Sequence, residues 1–163
     1  AAESVAVAIR GAGGRAVAAA CDVSLSQDAA LVCDQARAAF GSLNILVNSA
    51  AVLAGDGPVT GLDEEAWKRS FDVNVTVAFL LAKHAVPFMA ACGGGSIIHI
   101  CSVLAHVGMA GRTAYCAQKG ALLMMTKAMA IDHASQGIRV NSISPGPIMT
   151  ERYMKKFNVI ADK

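Results

Sequence analysis

Short apolar runs alternate with longer segments of helical periodicity along this chain. The apolar runs have strand length, are rich in Val and Ile or Ala, and are separated by Gly, Ser or Asp. They predict four β-strands, at residues 15–21, 43–47, 96–101 and 138–143. Between them the periodicity predicts helices at residues 1–10, 24–40, 63–88 and 113–135.

Residue types at the helix ends support these assignments. The first helix stops at a Gly-rich turn, residues 11–14. Ser24 or Ser26 is expected to cap the second helix and Gly41 to end it. Asp63 opens the third, which continues towards Pro87 or Phe88. The fourth is apolar nearly all round, so we expect it to be buried on both sides, with part of it against another subunit.

Strands that alternate with helices predict an α/β fold, a parallel sheet with helices on both faces. The carboxyl ends of parallel strands share one edge, where ligands bind in open α/β sheets. The residues that follow the predicted strands are polar or small: Asp22, Asn48, Ser102, Pro145 and Gly146.

The segment after the third strand combines three groups that can perform acid/base chemistry. Tyr115 and Lys119 are four residues apart, so they share one face of a helix, and Ser102 stands at the strand end. A nearby ammonium favours the phenolate form of tyrosine, and a serine hydroxyl can hold a substrate oxygen beside it. Taken alone, Tyr-x-x-x-Lys is more typical of a surface helix pair.

Asn74 lies in the apolar stripe of the third helix. A buried amide must find hydrogen-bond partners. The spacing leaves two interpretations open: an ordinary core amide, or a bend or water site next to the catalytic group.

Composition narrows the function classes. The 163 residues are 55% hydrophobic and 16% charged, with a net charge of +2 and no basic run, which indicates one globular domain with no nucleic-acid or membrane surface. The five cysteines are scattered and lack Cys-x-x-Cys spacing, and no signal-peptide pattern opens the chain, so we expect a cytoplasmic protein. The four histidines lack metal-ligand spacing, and no metal site is expected. His99 is interpreted as a core residue, and His106 as either a surface residue or part of the substrate pocket.

Together these motifs resemble the short-chain dehydrogenase/reductase family. Tyr115-Cys-Ala-Gln-Lys119 resembles its Tyr-x-x-x-Lys, residues 48–51 (Asn-Ser-Ala-Ala) its Asn-Asn-Ala-Gly, and Asn74 its helix asparagine. The resemblance implies a Rossmann-like doubly wound sheet and hydride transfer between NAD or NADP and an alcohol or ketone. It implies four catalytic residues: Asn74, Ser102, Tyr115 and Lys119. The cofactor contacts that it implies are Asp22, Val23, Asn48, Ala50, Tyr115, Lys119, Pro145, Gly146, Ile148 and Thr150.

In the resemblance, Tyr115 exchanges the proton, Lys119 assists it and holds the nicotinamide ribose, Ser102 positions the substrate oxygen and Asn74 completes a proton path. A homodimer or homotetramer is implied as well. The choice between NAD and NADP stays open, because the residue that decides it follows the family's second strand.

The chain departs from the family in several places. The family's opening strand, its Gly-x-x-x-Gly-x-Gly turn, its second strand and its last strand have no counterpart in the 163 residues. We therefore expect residues 1–163 to form one partial dinucleotide-binding and catalytic domain of a longer enzyme. The alternative is a truncated, non-catalytic chain that only binds full-length subunits. Ser49, Ala51 and Gln118 are smaller departures, and Gln118 is expected on the outer side of the Tyr–Lys pair.

Overall fold

A computed structural model of the chain describes residues 2–52, 57–150 and Met154. Within this part the order of elements is helix, helix, strand, helix, helix, strand, helix, strand. The helices are α1 (Ala2–Gly11), α2 (Ser26–Phe40), α3 (Glu64–Phe71), α4 (Val77–Ala91) and α5 (Thr113–Asp132), and the strands are β1 (Ile45–Asn48), β2 (Gly95–Ile100) and β3 (Ile138–Ile143).

The three strands form a parallel sheet in the order β1-β2-β3. Leu46 pairs with Ile97, and Ile97 pairs with Val140, so these side chains point to the same face of the sheet. Each crossover between neighbouring strands contains a helix, as a parallel sheet requires. The α/β prediction and three of the four predicted strands are confirmed.

The prediction of a first strand at residues 15–21 is wrong. This segment has no regular secondary structure and most of it is exposed. An extended segment becomes a strand only when a neighbour pairs with its backbone, and none of the described residues supplies that neighbour. An apolar run of strand length does not show whether a pairing partner is present.

The core lies on one face of the sheet. Met89 and Ala85 of α4 pack on Ile97 and Val140, and Met129 of α5 packs at the same cluster. The other face presents large apolar side chains to solvent, among them Ile45, Val47 and Ile143. The second layer of helices that completes a doubly wound fold is not formed by the described residues.

The helix ends differ in part from the expectation. Asp63 caps α3 as predicted, since its carboxylate accepts a hydrogen bond from Ala66 N at 2.7 Å. Neither Ser24 nor Ser26 caps α2, because Leu25 holds the cap position without a side-chain hydrogen bond. Gly41 ends α2 in the left-handed region, at φ 87°, as glycine favours. The loop between β1 and α3 lies partly outside the described residues.

The single long helix predicted from residue 63 is two α-helices joined by a π-helical turn, Asp72–Thr76. The second of them passes through Pro87 and ends only at Ala91. Together the segment Glu64–Ala91 is long and apolar enough to span a membrane by length and composition alone. Seven residues of α4 are buried against the rest of the protein, which is also how the core helix of a soluble domain looks.

Candidate active site

The carboxyl ends of β2 and β3 are held together by backbone hydrogen bonds beyond the strands themselves. Cys101 N donates to Ile143 O at 2.8 Å, and Val103 N donates to Pro145 O at 3.1 Å. The segments that bear Ser102 and the Pro145-Gly146 pair therefore leave the sheet side by side. This is the edge where the sequence placed the candidate site.

Ser102 is buried and has an extended backbone. Its Oγ accepts a hydrogen bond from Leu104 N at 3.2 Å and so caps a short 3₁₀ turn, Val103–Ala105. That bond uses one lone pair of the hydroxyl and leaves its proton free for another acceptor. Ser102 is thus fixed in place and still able to donate a hydrogen bond to a substrate oxygen.

Tyr115 and Lys119 lie on the first two turns of α5. Lys119 is 4% exposed, and its Nζ donates a hydrogen bond to Ile100 O at 2.7 Å. The same Nζ lies 5.8 Å from the centroid of the Tyr115 ring. Burial lowers the pKa of Lys119 below its usual value, because a low-dielectric site disfavours the charged form. A buried cation therefore lies over the ring of a partly exposed tyrosine.

Asn74 is buried inside the π-turn, where Val77 N donates to Asp72 O. Its side chain pairs with a backbone segment as a strand would: Val52 N donates to Asn74 Oδ1 and Asn74 Nδ2 donates to Val52 O, both at 2.8 Å. The amide is satisfied by protein groups, as in an ordinary core amide, and the backbone departs from regular α-helical winding at the same place. The role of Asn74 beside the catalytic group remains a prediction.

Gln118 is not on the outer side of the Tyr–Lys pair, as the sequence suggested, but fully buried. Its Oε1 accepts from Asn74 Nδ2 at 2.5 Å, and its Nε2 donates to Ser70 Oγ. Sequence reasoning missed this residue as part of the site. The available signal was that Gln118 and Leu122 share one face of the helix, and Leu122 is a core residue.

Asn48, the last residue of β1, contacts the adjacent strand through its side chain. Asn48 Nδ2 and His99 Nδ1 are 3.1 Å apart, and the two residues are paired in the parallel register. His99 is fully buried, as expected for a core histidine, and burial lowers its pKa to about 4. Asn48 Oδ1 and His99 Nε2 have no partner among the described residues. The pair ties the strand ends together without a charge.

The other predicted cofactor contacts follow the strand ends or precede α2. Asp22 and Val23 form the turn before α2, where Asp22 Oδ1 accepts from Ser24 N at 3.0 Å and Val23 packs against the core cluster that contains Ala29 and Val77. Hydrogen bonds from Ser24 lower the pKa of Asp22. The rest of these residues are exposed or half-buried in loops at the carboxyl edge of the sheet: Ala50, Pro145, Gly146, Ile148 and Thr150.

His106 is exposed and connects the two loops at this edge. Its Nε2 lies 3.1 Å from Ser144 Oγ, across the gap between the segment after Ser102 and the segment before Pro145. The contact with Ser144 occupies one ring nitrogen of His106, and a place for this residue in the substrate pocket remains a prediction.

This chain matches a known protein family over nearly its whole length. Residues 1–159 match the model of the short chain dehydrogenase family. The chain belongs to that family. The resemblance seen in the sequence is confirmed.

Two curated relatives of this short-chain dehydrogenase are named as dehydrogenases of hydroxylated six-membered rings. It is 39% identical over 145 residues to a cis-4-hydroxycyclohexanecarboxylate dehydrogenase of Sinomonas cyclohexanicum, which covers 89% of this chain and 58% of that protein. It is 33% identical over 138 residues to a cyclohexanol dehydrogenase of Acinetobacter, covering 85% of this chain and 55% of the relative. The chain thus spans about half the length of the curated relatives it matches.

Solved structures show the same fold. A 7α-hydroxysteroid dehydrogenase in complex with NADH superimposes with a TM-score of 0.88 at 32% identity, over 94% of this chain and 60% of that one. An NAD⁺-bound xylitol dehydrogenase gives a TM-score of 0.91 at 28% identity, over 99% and 62%. The predicted Rossmann-like class of fold is confirmed.

Proposed function

We propose that this short-chain dehydrogenase transfers a hydride between a nicotinamide cofactor, NAD or NADP, and the carbonyl/alcohol carbon of a small substrate. The observation that carries the proposal is the position of Lys119, a buried ammonium bound to the end of β2 and lying over the ring of Tyr115. A buried cation beside a phenol stabilises its anionic form, which a general base requires.

The residues at the carboxyl edge are compatible with such a cofactor. Ala50 and Gly146 are small and exposed there, and a Cβ atom built on Gly146 would meet nothing within 4 Å. Open backbone of this kind lets a dinucleotide approach the strand ends. When bound, the nicotinamide ring accepts or donates the hydride, that is, the two electrons and the hydrogen of the substrate C–H bond.

The protein's own residues handle the proton. In the direction of oxidation, Tyr115 Oη takes the proton of the substrate hydroxyl while the C–H bond breaks, so the alcohol becomes a carbonyl compound. Ser102 holds the same oxygen through its hydroxyl, and Lys119 stabilises the charge on Tyr115 before the proton arrives. Asn74 is proposed to complete the path by which the proton reaches solvent through the backbone of the π-turn, since its amide is already satisfied by Val52 and Gln118.

The names of two relatives support a proposal for the substrate class. Cyclic secondary alcohols are named for two of them, a hydroxycyclohexanecarboxylate and cyclohexanol. We propose a small secondary alcohol or the matching ketone as the substrate of this chain too.

Large apolar side chains on the outer faces of α4 and α5 favour assembly as a homodimer or homotetramer. Phe79, Met124 and Ile131 are 49%, 60% and 79% exposed. A cytoplasmic location, and the lack of nucleic-acid or membrane partners, agree with the charge balance and the scattered cysteines.

The test expresses the protein from its complete coding sequence and measures oxidation of cyclohexanol and cis-4-hydroxycyclohexanecarboxylate with NAD⁺ and with NADP⁺. Tyr115→Phe removes only the phenol oxygen, so turnover should fall below a tenth of the wild-type value while cofactor affinity stays within a few-fold. A Tyr115→Phe variant that keeps more activity would exclude Tyr115 as the proton carrier. A coding sequence that encodes only these 163 residues, with a product that gives no turnover and associates with longer subunits, would support the non-catalytic alternative.

A further inference from the structure

A continuous chain of hydrogen bonds runs from α3 to the loop after β1 through three buried side chains. Ser70 Oγ donates to Trp67 O at 2.7 Å, and Gln118 Nε2 donates to Ser70 Oγ. Asn74 Nδ2 then donates to Gln118 Oε1, and the Asn74 amide pairs with both backbone groups of Val52. The chain joins α3, the π-turn, α5 and the loop after β1.

The direction of every bond in this chain is fixed from its two ends, which are backbone groups. The Trp67 carbonyl can only accept, so the Ser70 proton is committed to it and Ser70 Oγ must accept from Gln118. Gln118 therefore turns its oxygen towards Asn74. At the other end, Val52 N and Val52 O require the same orientation of the Asn74 amide.

We propose that Gln118 is a positioning residue of the active site. It holds the Asn74 amide in the one orientation that clamps Val52, and so fixes residues 48–52 against the helix that bears Tyr115 and Lys119. The inference rests on the proposed dehydrogenase function, and it extends that function to a residue outside the reacting groups.

The surroundings of Gln118 make it sensitive to a change of its hydrogen-bonding pattern. The side chains of Ser70, Asn74 and Gln118 are all nine-tenths or more buried, so a donor or acceptor that loses its partner cannot turn to water. Among charged groups on the adjoining elements, Lys68 and Arg69 of α3 and Asp72 of the π-turn are exposed. The buried ammonium of Lys119 is held by Ile100 O.

Gln118→Glu is the decisive variant because it keeps the shape and makes the hydrogen bond to Ser70 depend on pH. A carboxylate can accept from Asn74 but cannot donate to Ser70, whereas a protonated carboxyl can do both. Burial raises the pKa of a carboxyl, so the protonated form is reached by mild acidification. We expect kcat to fall about tenfold to a hundredfold at alkaline pH, as misplaced active sites do, and to recover towards the wild-type value as the pH is lowered.

Three variants separate this effect from mere packing. Gln118→Met is of similar shape and has no donor or acceptor, so it should lose activity without recovery at low pH. Ser70→Ala leaves α5 untouched and removes the acceptor of Gln118, and adding it to Gln118→Glu should abolish the recovery. Gln35→Glu, an exposed position on α2, is the matched control for the charge change and should leave the pH profile unaltered.

Hydrogen exchange at the Val52 amide supplies a readout that needs no substrate. Corrected for the intrinsic pH dependence, exchange should be faster in Gln118→Met at every pH, and faster in Gln118→Glu only where the carboxyl is ionised. Val52 exchange that equals the wild type in all variants, or one pH dependence shared by Gln118→Glu and Gln118→Met, would overturn the proposal. If wild-type protein oxidises no alcohol, the dehydrogenase proposal fails. The exchange data still show whether Gln118 holds the Asn74 amide against Val52.

Discussion

The ammonium of Lys119 donates a hydrogen bond to the carbonyl oxygen of Ile100, 2.7 Å away. Ile100 is the last residue of β2, and Ser102 follows two positions later. The Lys119 side chain therefore connects α5, which bears Tyr115, to the strand that precedes Ser102. This bond couples the position of Tyr115 to that of Ser102, because a shift of α5 along the strand would break it.

Lys119→Met should reduce kcat/KM by about a hundredfold or more. The variant removes the buried cation beside Tyr115 and leaves Ile100 O without its donor, and a preorganised charge of this kind is a large part of catalysis. Lys127→Met, an exposed lysine on the same helix, is the control and should keep the wild-type rate. Steady-state kinetics on both variants measures the difference. Equal, small losses in the two would show that the charge of Lys119 has no role.

The lowered pKa of Lys119 also predicts where the activity declines at alkaline pH. Because burial lowers the pKa of Lys119, its ammonium loses the proton at a lower pH than that of a free lysine, whose pKa is about 10.4. The alkaline loss of kcat that depends on this charge should therefore begin below that value, and should be absent from the residual activity of Lys119→Met.

Ser102→Ala should lower kcat by about a hundredfold, since it removes one oriented donor to the reacting oxygen, a contact worth roughly 3 kcal/mol. Its backbone should hold, because the lost bond to Leu104 N belongs to a single 3₁₀ turn. Ser135→Ala, on an exposed turn after α5, is the control. A change in KM with an unaltered kcat would make Ser102 a binding residue only.

His99 should make the fold sensitive to acid. Its pKa is about 4 in the fold and about 6.5 in an unfolded chain, so the unfolded state binds the proton first as the pH falls. Stability is therefore highest above about pH 6.5 and declines down to about pH 4, by an amount of up to about 3 kcal/mol.

Chemical unfolding of wild type and His99→Asn across that pH range checks this expectation. The asparagine does not titrate, so its unfolding free energy should change less between neutral pH and pH 4. His84→Asn, at a half-buried position on α4, is the comparison variant and should retain the acid sensitivity. Parallel pH curves for wild type and His99→Asn would remove His99 as the cause.

Local sequence patterns correctly predicted the features that depend only on residues close together in the sequence. The β2 run, the Asp63 cap and the Tyr115–Lys119 pair all depend on neighbours a few residues apart, and all are found as expected. The prediction of a strand at residues 15–21 is wrong because a strand needs a pairing partner that is distant in sequence. Gln118 was misplaced for the same reason, since its partners Ser70 and Asn74 lie on other elements. The roles of the site residues remain predictions.

The π-turn at Asp72–Thr76 places one residue more between α3 and α4 than a continuous α-helix would hold. Deleting that residue would restore regular winding and turn α3 about the axis by roughly 100°, which is one residue of an α-helix with 3.6 residues per turn. Ser70 would then lose its hydrogen bond with Gln118, although no side chain in the site had been changed. Single substitutions can alter this site one residue at a time. A change in the number of residues between Asp63 and Ala91, in contrast, would disrupt the whole chain of hydrogen bonds. In an alignment of related genes, this stretch should be intolerant of single-codon insertions and deletions.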